Sequence, residues 1–442
     1  MIETWPAISR DNRRNPRGIA DSMPRCPNDP CSGCSRCVGM VPAVTSYWDS
    51  WPGKWQQWRV RQARAVHLLI PGEPIQKSDR RAASHAVEIR AQLDHEFRST
   101  GRATLTGPIA LSLHFTTDRT QPPDLPKLAK YLLDVLGRQD GTRGPALYRD
   151  DRQVKLLHVS WSNAVGKPSS PSTSTRILAR PLRDVVDDLR LADDIKLTTG
   201  GEDEQRGSPF AVEELPDDDW PSWPRERDVA DPRDPTWELL RRQDRRRRQD
   251  VLLQRTGAFL RSLLTSLPER IAGARPPRRR PRLEPYLRAT WAQLEQTYDQ
   301  SWALLSTQPF TVPLPRLPMQ TGEQAAFQRN LVAQLAQFAD RWPTMVPLEA
   351  PLNVTLLVLP PQQGKDLDNL ALQVLPALLT VLKPAIPSEL AVVSYQVIEL
   401  ARRPGDPPEG YLQVVLGTET RCQSDWDRIN AYVGEHPDQD LG

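Results

Sequence analysis

Aromatic side chains are scarce, at 6% of 442 residues, and hydrophobic residues of all kinds reach only 38%. A chain this lean cannot bury all of itself, so its core must lie in selected segments. Long apolar runs are missing too. The longest, Leu370 to Leu382, holds Pro376 and is too short to span a bilayer. The opening MIETWPAISRDNRRNPRG has no apolar h-region, so no secretory leader is expected, and the sequence reads as a soluble, cytoplasmic protein without a membrane partner. Cysteine is limited to five residues, four of them between positions 26 and 37, which excludes a distributed disulfide framework. Neither sign of charge prevails: 58 basic against 55 acidic residues leave a net charge of +3, too little on its own to indicate nucleic acid. Proline is plentiful, at 44, and marks part of the chain as extended or disordered.

Length predicts two or three domains, and an internal repeat organises them. From Ala65, AVHLLIPGEP reads as a strand and Ser78 to Ser99 as a helix. Gly107–Thr117 reads as a second strand, PPDLPKLAKYLLDVLG as an acid-headed amphipathic helix, and DDRQVKLLHVSWS and STRILARPL as two more strands. The same order returns about 240 residues later: PFTVPLPRLP, a helix over Gly322 to Trp342, APLNVTLLVLP, KDLDNLALQVLPALLTVL, SELAVVSYQVIEL and GYLQVVLG. The expected fold class is therefore α+β. Two tandem β-α-β-α-β-β units, 65–183 and 306–420, each of about 110 residues and large enough for its own core, flank a connector at 184–305. A Cys-rich segment, 1–64, precedes them and a tail, 421–442, follows. Within the connector, Asp184 to Asp219 is acidic and reads as disordered, whereas Thr236 to Ile271 and Leu283 to Leu305 read as helical.

Chemistry concentrates at the helix heads. Asp366-Leu367-Asp368-Asn369 begins a helix, where Asp366 and Asp368 turn to one side and Leu367 to the core. One Asp or Asn would suffice as an N-cap; three such residues in four positions point instead to a hard cation such as Mg²⁺ that offsets their repulsion. Glu389, about twenty residues on and read as the start of a strand, offers a third carboxylate. In the first unit Asp124 opens the matching helix, Pro126 stands two residues on, and Lys130 follows on the face that Asp124 starts. Asp150 and Asp151 lead the next strand.

These residues resemble the RusA family of Holliday junction resolvases, with its D-L-D-N helix head, a lysine one turn later and a D-D-x-Q-V strand start. Asp366–Asn369 matches the helix head without a gap, and Ser388–Val397 is similar to the carboxylate strand with Glu389 where an aspartate is usual. Asp150–Val154 matches the strand start and Lys130 falls at the lysine, whereas Pro126 replaces the second aspartate and Leu372 takes the lysine's place in the second unit. The resemblance covers roughly half the chain. It implies a Mg²⁺-dependent endonuclease that cuts four-way DNA junctions, with Asp366, Asp368 and Glu389 as metal ligands in a working second unit, and Asp124, Lys130 and Asp151 as the catalytic residues of an impaired first one. Because the family's enzymes are dimers, it also implies that the two units pair within the chain. The same losses fit a descendant that binds branched DNA without cutting it.

Three further features keep more than one reading each. Cys26, Cys31, Cys34 and Cys37, in C-x4-C-x2-C-x2-C, can hold Zn²⁺ tetrahedrally, can belong to an iron–sulfur cluster, or can stay unmetallated. The stretch Trp48 to Trp58 can stack on unpaired bases or pack against the first unit. The basic runs Arg245, Arg246, Arg247, Arg248 and Arg278, Arg279, Arg280 can track phosphates or form a solvated helix face.

Overall fold

A computed structural model describes residues 47–119, 124–138, 144–163, 173–199, 235–266, 268–272, 310–314, 316–318, 321–361, 367–403, 405–418 and 423–436. The four clustered cysteines, Arg278–Arg280, Asp366 and the helix expected over Leu283 to Leu305 lie outside them.

The strands form where apolar and β-branched residues run between turn residues. In the first half they are β1 (Val66–Pro71), β2 (Ile109–Thr117), β3 (Val154–Asn163) and β4 (Ser174–Pro181). The second half supplies β5 (Thr311–Leu314), β6 (Leu352–Leu359), β7 (Val392–Glu399) and β8 (Tyr411–Gly417). All eight belong to one mixed sheet, in the order β1-β4-β2-β3-β7-β6-β8-β5. Each half repeats the same pairings: β2 runs parallel to β3 and antiparallel to β4, as β6 runs parallel to β7 and antiparallel to β8. The halves join through the antiparallel pair β3 and β7, where His158 lies opposite Gln396.

Alternate strand residues face opposite sides, and the two sides differ. Leu111, Leu113, Leu157, Val159, Tyr395, Val397, Val354 and Leu356 belong to one continuous apolar core that crosses the seam. Four helices cover this first side: α2 (Ala82–Thr100), α3 (Leu125–Leu136), α7 (Gln324–Arg341) and α8 (Leu367–Leu382). Separate cores for the two units were expected; the shared sheet merges them into one. The second side carries Ser112, His114, His158, Ser160 and Gln396, all buried, within a rim of apolar residues. Helices α4 (Leu182–Thr199), α5 (Pro235–Ser266) and α10 (Asp425–Gly434) cover it, with α1 (Trp51–Gln62) outside them and the short α6 (Pro268–Ala272) beside α4.

Three boundaries read from the sequence are corrected here. The acidic stretch from Asp184 is helical as far as Thr199, because Val185, Val186, Leu189, Ala192 and Ile195 form a buried stripe at helical spacing beneath its charges. The supposed C-terminal tail contains α10, which buries Trp426, Ile429, Tyr432 and Val433. The start of each central strand is a turn instead. Asp151–Gln153 is a 3-10 turn in which Asp150 accepts from the Arg152 amide at 2.9 Å and Gln153 Oε1 accepts from the Asp150 amide at 3.1 Å. Correspondingly, Glu389 sits in a four-residue helix, α9 (Ser388–Ala391), ahead of β7. The helix expected over Thr236 to Ile271 is present as α5 and α6. No helix among the described residues is long and apolar enough to cross a membrane.

The tryptophan stretch packs. Trp55 is buried, Trp58 Nε1 donates to Asn430 Oδ1 at 2.9 Å, and Lys54 pairs with Asp194 at 2.6 Å. Nearby, Asp188 is 1% exposed and accepts from Arg61 at 2.6 Å, from Gln62 at 3.1 Å and from Arg180. It thereby ties α1 and β4 to α4. Removing one member of a buried ionic cluster strands the others. Asp188→Asn is expected to cost about 3–5 kcal/mol in equilibrium denaturation; a change within about 0.5 kcal/mol would show that this cluster holds nothing.

Candidate functional site

The crossover in each half dictates where its helix head can lie. Helix α8 follows the end of β6 and returns along the sheet, so its head sits at the strands' C-terminal end. Residue 389 precedes β7, whose start pairs beside the start of β6. The eight residues of β6 put about 26 Å of strand between those ends. Of the expected set, Asp368 and Glu389 are therefore not brought together, because Glu389 stands at the far end, and Asp366 lies outside the described residues.

What does reach the α8 head comes from the other half. Since β3 is antiparallel to β7, β3 starts where β7 ends, and Lys155 Nζ meets Glu399 Oε1 there at 2.6 Å. The turn carrying Asp151 is thus at the same end as Asp368. Helices α3 and α8 also pack on one another over the seam, and Lys130 Nζ donates to Asp368 Oδ2 at 2.8 Å. Asp368 is only 3% exposed, and its Oδ1 is buried without a hydrogen-bond partner among the described residues. A buried carboxylate oxygen left unpaired is costly and invites a donor or a cation.

The electrostatics report the same convergence. Burial pulls the Lys130 ammonium down, but the hydrogen bond and charge of Asp368, with Asp134 and Asp151 beyond, together hold it above the usual lysine value. Burial first, and then the charges of Asp151, Asp368 and Asp134, push the Tyr148 phenol well above its usual value. Tyr148 is therefore a neutral donor; its hydroxyl donates a hydrogen bond to the Leu133 carbonyl at 2.9 Å and so seats α3. Tyr395 is likewise raised, by burial first and then by the charges of Asp368 and Asp124. Sequence reasoning missed both tyrosines, because a Tyr in a strand or loop reads as ordinary core.

Asp124 stands at the α3 head with its carboxylate turned partly to solvent. Its carboxylate is 42% exposed, makes no side-chain cap bond and pairs with Lys127 at 3.1 Å. The Arg245–Arg248 run is remote. It lies on α5, where Gln249 is anchored to Thr344 and Pro347 carbonyls ahead of β6, the opposite end from Asp368. Arg245 pairs with Glu349 at 3.4 Å, Arg246 with Asp250 at 4.0 Å and Arg248 with Asp244 at 2.8 Å, so the run behaves as a helix face with neutralising partners. Among the described residues no group of three or more His, Cys, Asp or Glu is arranged to hold a metal; Asp368 is in contact with Lys130, and Asp366 lies outside the described residues.

A second constellation looks catalytic but is sealed. His114 Nδ1 lies 2.9 Å from Ser160 Oγ and Nε2 lies 3.0 Å from Ser162 Oγ, with His158 fully buried alongside. Ser160 is 1% exposed, so no substrate reaches it. Burial, then Arg176, lowers His114 to about 4; burial, then His114, lowers His158 to about 3. Both are neutral when folded but protonate near 6.5 when unfolded, so the unfolded chain binds more protons below that pH. Stability should be complete above 6.5 and fall toward 4, by up to about 1.4 kcal/mol per pH unit per histidine. Denaturation midpoints at both pH values check this, and a His158→Met variant whose fall is no shallower than the parent's would refute it.

Comparison with protein-family models, with curated proteins and with solved structures finds no match to this chain.

Proposed function

We propose that the chain is a Mg²⁺-dependent endonuclease acting on branched DNA, built as an intrachain pseudo-dimer of two RusA-like units. The carrying observation is the contact of Lys130 with the buried Asp368 across the seam, which joins the lysine of one half to the acidic helix head of the other. Each unit read alone lacks a part; at this one place the retained parts meet. Asp124 and Glu389, expected in catalytic roles, drop out of this site.

A hard divalent cation suits the chemistry of this place: Asp368 keeps one buried oxygen without a partner among the described residues, Asp151 stands at the same end of the sheet, and the sequence puts Asp366 two residues ahead of Asp368. Bound Mg²⁺ would polarise a phosphoryl oxygen and make water a better nucleophile at neutral pH. The remaining tasks belong to the chain. Lys130, held charged, orients Asp368 and offers a fixed cation to the phosphate oxygens as charge builds on them. Asp151 adds a carboxylate from the turn that Asp150 and Gln153 lock. Tyr148 and Tyr395 floor the site with groups that do not ionise near neutral pH. Water adds to phosphorus, the ester bond to one sugar oxygen breaks, and that oxygen leaves as a hydroxyl. Branched DNA would be recognised by backbone shape and charge, with affinity that falls as salt rises.

The test is cleavage of a labelled four-way junction, with linear duplex as control, in Mg²⁺ and in EDTA. Cutting is expected to be junction-selective and Mg²⁺-dependent, to vanish in Asp366→Asn and Asp368→Asn, and to fall roughly 10²–10³-fold in Lys130→Met. Junction binding with no cutting in any divalent metal would overturn the enzyme and leave a structure-specific binder.

A further inference from the structure

The two halves can be aligned position by position from their own geometry. The β2–β3 register shifts between Ile109 and Ala110, and the β6–β7 register shifts at the matching place, between Leu352 and Asn353. Val154 then corresponds to Val392 and Asp151 to Glu389, while Leu125 and Leu367, the first residues of α3 and α8, correspond to each other. It follows that Pro126 stands for Asp368 and Leu372 for Lys130.

The pairing at the seam makes each acidic location from both halves. One location takes the α8 head, the Asp151 turn and Lys130. The other takes the α3 head and the α9 turn with Glu389, because β7 starts where β3 and β2 end. Both departures fall in this second location: Pro126 carries no carboxylate and Leu372 no charge. Asp124 there is half exposed and tied to Lys127 at 3.1 Å. The first location lacks none of the set.

We infer that the molecule carries one competent hydrolytic site and one vacant counterpart, and therefore makes a single incision per bound DNA. This rests on the nuclease reading above. A pseudo-symmetric protein with two equal sites would cut two strands of a junction within the lifetime of one complex. This chain leaves a single nick: one water is consumed, one phosphorus–oxygen ester bond breaks, and a phosphomonoester and a hydroxyl result.

A supercoiled plasmid with an extruded inverted repeat separates the outcomes, because one nick relaxes the circle and reabsorbs the cruciform before a second cut. With full-length protein limiting and Mg²⁺ present, nicked circle is expected and linear plasmid is not. Restoring the vacant location with Pro126→Asp and Leu372→Lys together is expected to bring linear product. Linear product from the parent at the earliest times would overturn the inference while leaving the nuclease reading intact. Absence of both products would overturn the nuclease reading, and the inference with it. Calorimetric titration with Mg²⁺ reads the same question without turnover. Asp368→Asn is expected to abolish the binding seen in the parent, and retention of half of it would reveal a second working site.

Discussion

Almost everything in this molecule follows from two strands lying side by side in opposite directions. The pairing of β3 with β7 runs from Leu156 opposite Ile398 to Ser160 opposite Ser394 and turns two four-stranded halves into one eight-stranded sheet. Both strands are central and buried on both sides, so their register cannot slip: a one-residue shift would turn Tyr395 and Val397 out of the apolar core and Gln396 into it. The polar side is fixed as firmly. Gln396 donates to Thr355 Oγ1 at 2.7 Å and to the buried Asp425 of α10, and Asp425 in turn lies 3.7 Å from Arg261 of α5. The antiparallel sense also decides which residues meet, because it brings the start of one half's strand to the end of the other's.

Asp368 shows the cost of that arrangement. A carboxylate at 3% exposure loses most of its hydration, and one lysine bond at 2.8 Å, from an ammonium itself 38% exposed, repays only part of it. Its second oxygen has no partner among the described residues, and a carboxylate oxygen left so costs about 1–3 kcal/mol. Asp188, equally buried, has three partners instead. Glu73, Asp184 and Asp368 each keep one buried carboxylate oxygen without a partner among the described residues, and of these Asp368 is the one paired with a lysine across the seam.

The strands and the long helices of the two repeated units were legible in the sequence, as was their order, whereas α1 and α10 were not read. Alternation gave β2, amphipathic spacing gave α3 and α8, and the turn residues gave most boundaries. The acidic opening of α4 was misread because DDLRLADD is dominated by charge, although its valines and leucines hold a helical stripe. The Asp150 turn was misread as strand because the competition of Asp and Gln side chains for backbone amides is invisible to a count of apolar alternation. The identities of Asp368, Lys130 and Asp151 could be named, but not their grouping. A reader of the sequence groups residues by unit, whereas the crossover sends the helix head and the next strand's start to opposite ends, and only the seam supplies the missing partner.

That grouping gives the departures a common cause. In a dimer of identical chains every substitution appears at both sites, so neither the helix-head carboxylate nor the lysine can be lost without losing both sites. Joining two copies removes this constraint. On the proposed reading, Pro126 and Leu372 lie in different halves and over two hundred residues apart, yet both belong to the same location at the seam. Losses scattered without regard to space would as readily have struck Lys130 or Asp368 and left no complete set. Their concentration in one location is what a chain would show if it kept one working site and released the other from its chemistry. Proline is then free to start α3, where its fixed φ favours the first turn and its missing amide costs nothing. Leucine can likewise take a half-buried place in α8 that a lysine would have to be desolvated to fill.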